Sequence, residues 1–185
     1  MLQIPEPNFI PFPVIQTTRL TLRQLTVSDA TALLELRTNP EAAKHIDKTL
    51  SVALEDVTDL IKKWAYDARK GNRIVWGITL NNQRDIIGTI GFHMIHKEHF
   101  RAEVGYMLSP QNWNHGFMFE ALTAIIHFGF QSMGLHSIEA RVNPSNSGST
   151  HLLKKLGFIR EGYFKEDHFF NGKFLDTVLY SLLKS

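Results

Sequence analysis

Cysteine is absent from this sequence, and its absence excludes several kinds of site. Without cysteine the chain cannot form a disulfide, a thiolate zinc site or a covalent intermediate on a cysteine nucleophile. A chain that needs no disulfide suits a reducing compartment. We therefore expect a cytoplasmic protein.

Long apolar runs are also missing. The opening residues Met1–Glu6 have neither the basic region nor the apolar region of a secretory signal peptide. No later stretch approaches the roughly 20 consecutive apolar residues that a membrane-spanning helix needs. We expect a soluble, unprocessed protein without a membrane partner.

An excess of charge of one sign is lacking as well. The formal net charge is only +2, and the lysines and arginines are scattered, so direct binding to nucleic acid is not expected. What the chain does have is 43% hydrophobic and 21% charged residues over a length of 185, the balance of a globular protein. We expect one domain spanning residues 1–185.

The hydrophobic period changes along the chain and predicts a mixed α/β domain. Alternating segments predict strands over 15–25, 73–80, 85–95, 100–108, 137–142, 158–170 and 173–183. Helical spacing predicts helices from Ser28, as N-cap, to Asn39, from near Ser51 to Gly71, over 114–133 and over 146–156. The strands between 73 and 108 form an antiparallel meander, and Asn171-Gly172 predicts a terminal hairpin.

A loop that opens the longest helix has the features of an anion site. The strand ending at Leu108 is followed by Trp113-Asn114-His115-Gly116-Phe117-Met118 and then by the helix. Helix N-termini bind phosphates through unpaired backbone N–H groups, and glycine permits a close approach. Many such loops bind nothing, so local features leave both interpretations open. Neither a P-loop nor a G-x-G-x-x-G motif occurs in the chain.

The same segment resembles the acetyl-CoA motif of the GNAT superfamily of N-acetyltransferases. The resemblance is carried by Val104–Leu108 followed by Trp113–Leu122. Thr18–Arg23, Asn143–Ser149 and Leu156–Gly162 resemble, in the same order, the branch that contains the bacterial ribosomal-protein N-terminal acetyltransferases. The resemblance therefore covers nearly the whole chain.

The resemblance implies the GNAT fold and acetyl-CoA as co-substrate. The fold is a mostly antiparallel twisted sheet of about seven strands, splayed at the acetyl-CoA site and flanked by about four helices. Backbone groups of Met107 and Leu108 would contact the pantetheine arm, and the pyrophosphate would be wrapped by Trp113, Asn114, His115, Gly116, Phe117 and Met118. The superfamily pattern Q/R-x-x-G-x-G/A places Gln or Arg at position 113 and Gly or Ala at position 118, where this sequence has Trp and Met.

Two residues are candidates for proton transfer at the reacting atoms. Strand alternation places Glu103 on one face with Gly105 and Met107, and some GNAT enzymes use a glutamate at this strand position as general base. The alternative is a solvent-facing carboxylate, with the proton leaving through water. Ser149 matches a serine that faces the thioester sulfur in the related N-terminal acetyltransferases, and the alternative is an ordinary first-turn serine.

Two further residues complete the candidate site. Asn146 is expected to cap the helix that follows it, to contact the cofactor, or to do both. His168 aligns with a glutamate expected in that family, and an imidazole can act as a base near neutral pH. The alternative for His168 is a surface histidine on a hairpin.

Other polar and aromatic groups have simpler interpretations. Alternation puts His93 and His96 on opposite faces, and no cysteine or carboxylate at ligand spacing accompanies them, so no metal site is expected. Glu120 is an acid in the first turns of a helix, where the helix dipole favours it. The terminal hairpin is rich in phenylalanine, which favours core packing or a homodimer contact over an acceptor wall; the residues are Phe164, Phe169, Phe170 and Phe174.

Three functions stay open at this stage. The leading one is acetylation of a protein N-terminus, such as that of a ribosomal protein, by direct attack of the amine in a ternary complex. The second is acetylation of a small amine such as an amino sugar, a polyamine or an antibiotic. The third is a non-catalytic acyl-CoA-binding module.

Overall fold

The computed structural model describes residues 7–47, 49 and 53–184. Its strands are β1 (Ile15–Gln16), β2 (Leu20–Gln24), β3 (Ile74–Leu80), β4 (Ile86–His96), β5 (Arg101–Leu108), β6 (Ser137–Val142), β7 (Ile159–Phe170) and β8 (Lys173–Leu183). Its α-helices are α1 (Ala30–Thr38), α2 (Pro40–Ala43), α3 (Leu54–Arg69), α4 (Phe117–Gln131) and α5 (Ser147–Lys155). None of the helices in these ranges is long and apolar enough to cross a membrane.

All eight strands of the described chain form one sheet in the order β1-β2-β3-β4-β5-β6-β8-β7. Every neighbouring pair is antiparallel except β5 and β6, which run parallel. The parallel pairing joins Arg101–Glu103 to Ser137–Glu139, and within the described residues it ends there. Beyond Glu103 and Glu139 these two strands are therefore not paired with each other, and the sheet is open between them.

Helices cover both faces of the sheet. On one face, α1 and α3 contribute Leu33, Ile61 and Trp64 to a cluster that includes Met107 of β5. This packing follows from sequence, because α3 has apolar residues at helical spacing along one side: Val57, Ile61, Trp64 and Ala68. On the other face, α4 packs against β2, β4 and β6. Helical layers thus cover both faces of the sheet.

Trp76 on β3 is the centre of the larger core cluster. It is fully buried and makes edge-to-face contacts with three phenylalanine rings, at centroid distances of 5.9 Å to Phe12, 6.5 Å to Phe92 and 5.5 Å to Phe128. Its indole N–H donates to the Pro13 carbonyl oxygen at 2.8 Å. The buried donor is therefore satisfied, and the N-terminal segment is fastened to the sheet.

The predicted order of elements is confirmed, with local corrections. The single strand predicted over 15–25 is two short strands, because a turn around Thr17 reverses the chain and β1 pairs with β2. Ser28 is not a helix N-cap; it lies inside a 3₁₀ turn that Thr26 precedes, and α1 begins at Ala30. The predicted start of α3 near Ser51 lies outside the described residues. The long helix begins at Phe117 instead of residue 114.

The terminal hairpin has the predicted turn but not the predicted core packing. Asn171 and Gly172 have φ angles of 47° and 76°, as a two-residue turn with a right-handed strand twist requires. Phe169 and Phe174 are 60% and 65% exposed, and their rings pack on each other at 5.0 Å. The core-packing alternative is therefore wrong for this pair, because the tip of the hairpin extends past the part of β8 that pairs with β6, and the homodimer alternative stays a prediction.

Candidate active site

A cleft of about 620 Å³ lies where β5 and β6 separate. Its walls come from β5, β6, α1, α3, the start of α5, the terminal hairpin and the segment around Asp47. Five of the residues singled out in the sequence line this cleft: Glu103, Met107, Asn146, Ser149 and His168. The fold thus brings together residues that are as far as 65 positions apart in the chain, from 103 to 168.

Glu103 stands at the point where the sheet opens. It is the last residue of β5 that pairs with β6. Beside it, a β-bulge in β4 between Phe92 and Met94 adds His93 to that strand and shifts its register with β5 by one residue. A Cβ atom at Gly105 would lie 2.7 Å from Cδ2 of His93, so only glycine there lets the imidazole lie against β5. The bulge also interrupts the alternation from which opposite faces were expected for His93 and His96.

The start of α5 presents Ser149 to the cleft. Asn146 caps this helix, with its side-chain oxygen accepting from the Ser149 backbone N–H at 3.0 Å. The capping half of the expectation for Asn146 is confirmed. The neighbouring group is Tyr106 of β5, whose buried hydroxyl has no hydrogen-bond partner in the described part of the chain. Burial raises the pKa of Tyr106 to about 12, and the nearby Ser149 hydroxyl acts in the opposite direction, so the phenol is neutral at physiological pH.

His168 is held by the segment that follows α2. Its Nε2 lies 2.5 Å from the backbone oxygen of Asp47, which leaves Nδ1 as the nitrogen able to accept a proton when the ring is neutral. Asn143 donates to the Asp47 carboxylate at 2.9 Å, and Ser145 lies 3.3 Å from Nδ1 of His45. The segment around His45 and Asp47 thereby joins the β6–α5 loop and the hairpin along one rim of the cleft.

The loop between β5 and α4 is shaped by its own side chains. The Trp113 indole donates to the Leu108 carbonyl oxygen at 2.8 Å, and Nδ1 of His115 lies 2.7 Å from the Trp113 carbonyl oxygen. Asn114 and Gly116 have positive φ angles of 62° and 76°. Tryptophan at the first position of the motif therefore fastens the loop to the end of β5.

The N-terminus of α4 is open to an anion. Its N-cap is Gly116, and no side chain of the described residues caps the helix. The Met118 side chain is buried in the core, so the bulk that departs from the superfamily pattern points away from the loop. Phe117 stacks on the exposed imidazole of His115 with a centroid distance of 5.6 Å. Backbone N–H groups are what the loop offers to a phosphate.

Glu120 is favoured by the helix dipole and also binds Thr17 and Arg19. Its carboxylate accepts from Arg19 Nε at 2.7 Å and from the Thr17 hydroxyl at 2.6 Å, and Arg19 Nη1 donates to the His115 carbonyl oxygen at 2.9 Å. Burial alone would raise the pKa of Glu120, but the hydrogen bonds from Thr17 and Arg19 and the guanidinium charge hold it below its usual value. The ionised carboxylate therefore anchors an arginine that braces the loop.

A second groove, of about 520 Å³, adjoins this loop. Its walls include Arg19, Gly116, Glu120, Thr123 and Lys155. The Lys155 ammonium lies 4.8 Å from the centroid of the Phe119 ring. The groove thus brings a cation of α5 beside the first turns of α4.

Several residues of the cleft were not predicted from sequence. Tyr106 lies on β5 between Gly105 and Met107, so its position on the splayed strand could have predicted that it lines the cleft. Arg37 and Trp64 had no local signal, because only the packing of α1 and α3 brings them to the cleft. Among the described residues, no group of three or more His, Cys, Asp and Glu side chains is placed to hold a metal ion.

Comparison with known proteins identifies the family. The family described as "Acetyltransferase (GNAT) domain" matches residues 19–159. The chain is 37% identical to the uncharacterized N-acetyltransferase YoaA of Bacillus subtilis over 175 residues, which cover 94% of this chain and 98% of that protein. The crystal structure of a GNAT-family acetyltransferase from Bacillus anthracis is similar with a TM-score of 0.81 and 29% identity, over 92% of this chain and 98% of that one.

Two further relatives have acceptors in their names. The [ribosomal protein uS5]-alanine N-acetyltransferase of Escherichia coli is 34% identical over 115 residues, 62% of this chain and 59% of that protein. The spermidine N(1)-acetyltransferase of Vibrio cholerae is 25% identical over 167 residues, 90% of this chain and 94% of that protein. These matches confirm the resemblance read from the loop motif, and they name two different acceptors. The chain therefore belongs to the GNAT family and is an N-acetyltransferase that uses acetyl-CoA as its co-substrate.

Proposed function

We propose that this enzyme acetylates the α-amino group at the N-terminus of a protein or peptide. The observation that carries the proposal is that Glu103, Ser149 and His168 line the same cleft, at the opening between β5 and β6. In such a cleft an amine and a thioester can meet without a covalent enzyme intermediate, so we propose direct attack in a ternary complex. The relative that acts on a ribosomal-protein alanine supports this choice of acceptor.

The residues fit acetyl-CoA in two places. The edge of β5 that faces β6 is unpaired beyond Glu103, so backbone groups of Met107 and Leu108 are candidates for the pantetheine. The open N-terminus of α4, from Gly116 to Met118, is the candidate for the pyrophosphate, and Lys155 adds a positive charge beside it. Binding through backbone groups tolerates the tryptophan and methionine that depart from the superfamily pattern.

Acetyl-CoA supplies the acetyl thioester, and the protein's own groups manage two protons. The attacking amine must lose a proton as the C–N bond forms, and we assign Glu103 as the acceptor of that proton. The sulfur must gain a proton as the C–S bond breaks, and we assign the Ser149 hydroxyl as its donor. The neutral, buried phenol of Tyr106 lies near Ser149, and we assign it as a candidate positioning group for that hydroxyl. His168 is the competing base, through Nδ1.

A small amine is the second candidate acceptor. It is favoured by the spermidine N(1)-acetyltransferase relative, which is similar over 90% of this chain. The acidic groups Glu103, Asp47 and Asp167 line the cleft and could attract a cationic amine. The two acceptor classes differ in charge and length, so one assay separates them.

The proposal is tested by measuring thiol release from acetyl-CoA against a panel of N-terminal peptides, spermidine and an amino sugar. Because the protein has no cysteine, a thiol reagent reports CoA alone. We expect release with peptides, matched mole for mole by N-terminal acetylation in mass spectrometry. Release with spermidine alone would favour the second candidate, and saturable acetyl-CoA binding without release on any acceptor would favour a non-catalytic module.

Three broader assignments complete the proposal. We infer that residues 1–185 form one acetyltransferase domain and that the enzyme works in the cytoplasm. The exposed edge strand β7, with Phe169 and its neighbour Phe174 at the tip, is the candidate surface for a homodimer.

A further inference from the structure

Three buried donor groups in the described part of the chain lack a hydrogen-bond partner, and all three belong to residues that line the cleft. They are Nε of Arg37, the indole nitrogen of Trp64 and the hydroxyl of Tyr106. An unpaired buried polar group destabilises the folded state, so such groups are uncommon and call for an explanation. Tyr106 has been assigned beside Ser149. Arg37 and Trp64 come from α1 and α3, the helical layer on the face towards which Met107 points.

Arg37 carries a positive charge that no acidic side chain of the described residues pairs with. Its side chain forms no ion pair or hydrogen bond with any described residue, and burial lowers its pKa, although a guanidinium stays protonated at physiological pH. The other cleft arginines are engaged: Arg141 pairs with Asp167 at 2.5 Å, and Arg73 donates to the His93 carbonyl oxygen at 3.1 Å. A half-buried cation of this kind is costly unless a ligand brings an anion.

A structural explanation accounts for only part of this arrangement. Arg37 lies in the last turn of α1, where the helix dipole favours a cation. That interaction needs no burial and leaves Nε unpaired. It also does not explain why Trp64, only 7% exposed on a different helix, has an unpaired donor in the same cleft. Both groups are donors only, so the partner that satisfies them must be an acceptor.

We propose, on the basis of the function proposed above, that Arg37 and Trp64 bind a carboxylate of the acceptor. A carboxylate accepts several hydrogen bonds and matches the planar fork of an arginine. The preferred acceptors are then amines that carry an acidic group near the amine, such as peptides with glutamate soon after the N-terminal residue. Polyamines carry only positive charge, so Arg37 disfavours them.

The test compares peptides that differ only in charge. Peptides that begin with alanine and carry glutamate, glutamine or lysine at position 2, 3 or 4 are assayed for kcat/KM, with spermidine alongside. At the best position the wild-type enzyme is expected to prefer glutamate over glutamine by about tenfold or more. In Arg37→Gln the ratio of kcat/KM for the glutamate peptide over the glutamine peptide is expected to fall to about one. In Arg37→Glu the enzyme is expected to prefer the lysine peptide. Trp64→Phe is expected to weaken the preference by a few-fold, since it removes one donor and keeps an aromatic ring.

The matched control is Arg69→Gln, an exposed arginine in the last turn of the neighbouring helix α3. It should keep the wild-type preference, which separates a local effect from a change in net charge. If wild-type enzyme acetylates all peptides with kcat/KM within twofold, the carboxylate subsite is wrong and the proposed function stands. If only spermidine is acetylated, both are wrong. If Arg37→Gln does not fold, Arg37→Lys takes its place, because lysine keeps the charge but lacks the planar fork of the guanidinium. This variant must still lower the preference for glutamate over glutamine. An unchanged ratio of the two kcat/KM values overturns the proposal.

Discussion

Gly116→Val is expected to weaken acetyl-CoA binding by about 10- to 100-fold. Gly116 has a φ of 76°, a conformation that costs a β-branched residue about 1–3 kcal/mol. An added Cβ would meet only Arg19 Nη2 at 3.5 Å, an ordinary contact, so the backbone angle is the source of the effect. The valine variant can relieve the strain by moving the loop, and loop positions without aligned N–H groups bind phosphate poorly. Calorimetric titration with acetyl-CoA measures the change.

Gly172→Val is the matched control for this substitution. Gly172 also has a φ of 76°, and nothing lies within 4 Å of the position of its added Cβ. The two variants therefore carry the same backbone strain, one in the loop and one in the hairpin turn. Equal acetyl-CoA affinity in folded Gly116→Val and Gly172→Val would show that the loop is not the phosphate site.

Glu103→Gln is expected to lower kcat by about 10²- to 10⁴-fold while leaving acetyl-CoA affinity within a few-fold, as for loss of a general base. In this variant the fall in rate at low pH should flatten, because the carboxylate whose protonation lowers the wild-type rate is absent. Rates measured over a pH series with saturating acetyl-CoA give both quantities. Glu98→Gln, an exposed glutamate away from the cleft, should behave as wild type.

The same pH series decides between the candidate bases. If His168 is the base, the fall in rate at low pH survives in Glu103→Gln and vanishes in His168→Ala. His168→Ala also removes the contact with the Asp47 carbonyl, so its acetyl-CoA affinity must be measured in parallel. If both variants keep the wild-type rate and the wild-type pH–rate profile, water accepts the proton of the amine. The protein then contributes only by positioning the two substrates.

The central part of the fold was predictable because its signals are local. The meander, the long helix and the hairpin follow from hydrophobic period and from turn residues such as Asn171 and Gly172. The division of residues 15–25 into two strands was not predictable, since it depends on Thr17 binding the Leu20 carbonyl oxygen and Glu120, 103 positions away. The start of α4 was misjudged for a related reason: Asn114 and Gly116 adopt positive φ angles within the loop, which postpones the helix.

The candidate site was predictable on strands and at helix caps, and unpredictable on packed helices. Strand alternation placed Glu103 on a face of β5 and the cap at Asn146 placed Ser149 in the first turn of α5, while the resemblance to the GNAT superfamily suggested their roles. Arg37 and Trp64 reach the cleft only because α1 packs against α3, a tertiary contact without a sequence pattern of its own. His93 was weighed only as a metal ligand, and a β-bulge brings it to the wall beside Gly105.

The most direct test of the central claim is a crystal structure of the enzyme with CoA and an N-terminally acetylated peptide. We expect the pantetheine between β5 and β6, the pyrophosphate at the N-terminus of α4, and the thiol sulfur within hydrogen-bond distance of the Ser149 hydroxyl, with the acetylated end of the peptide beside Glu103. CoA bound elsewhere, or β5 and β6 paired beyond Glu103 with the cleft closed, would contradict the account.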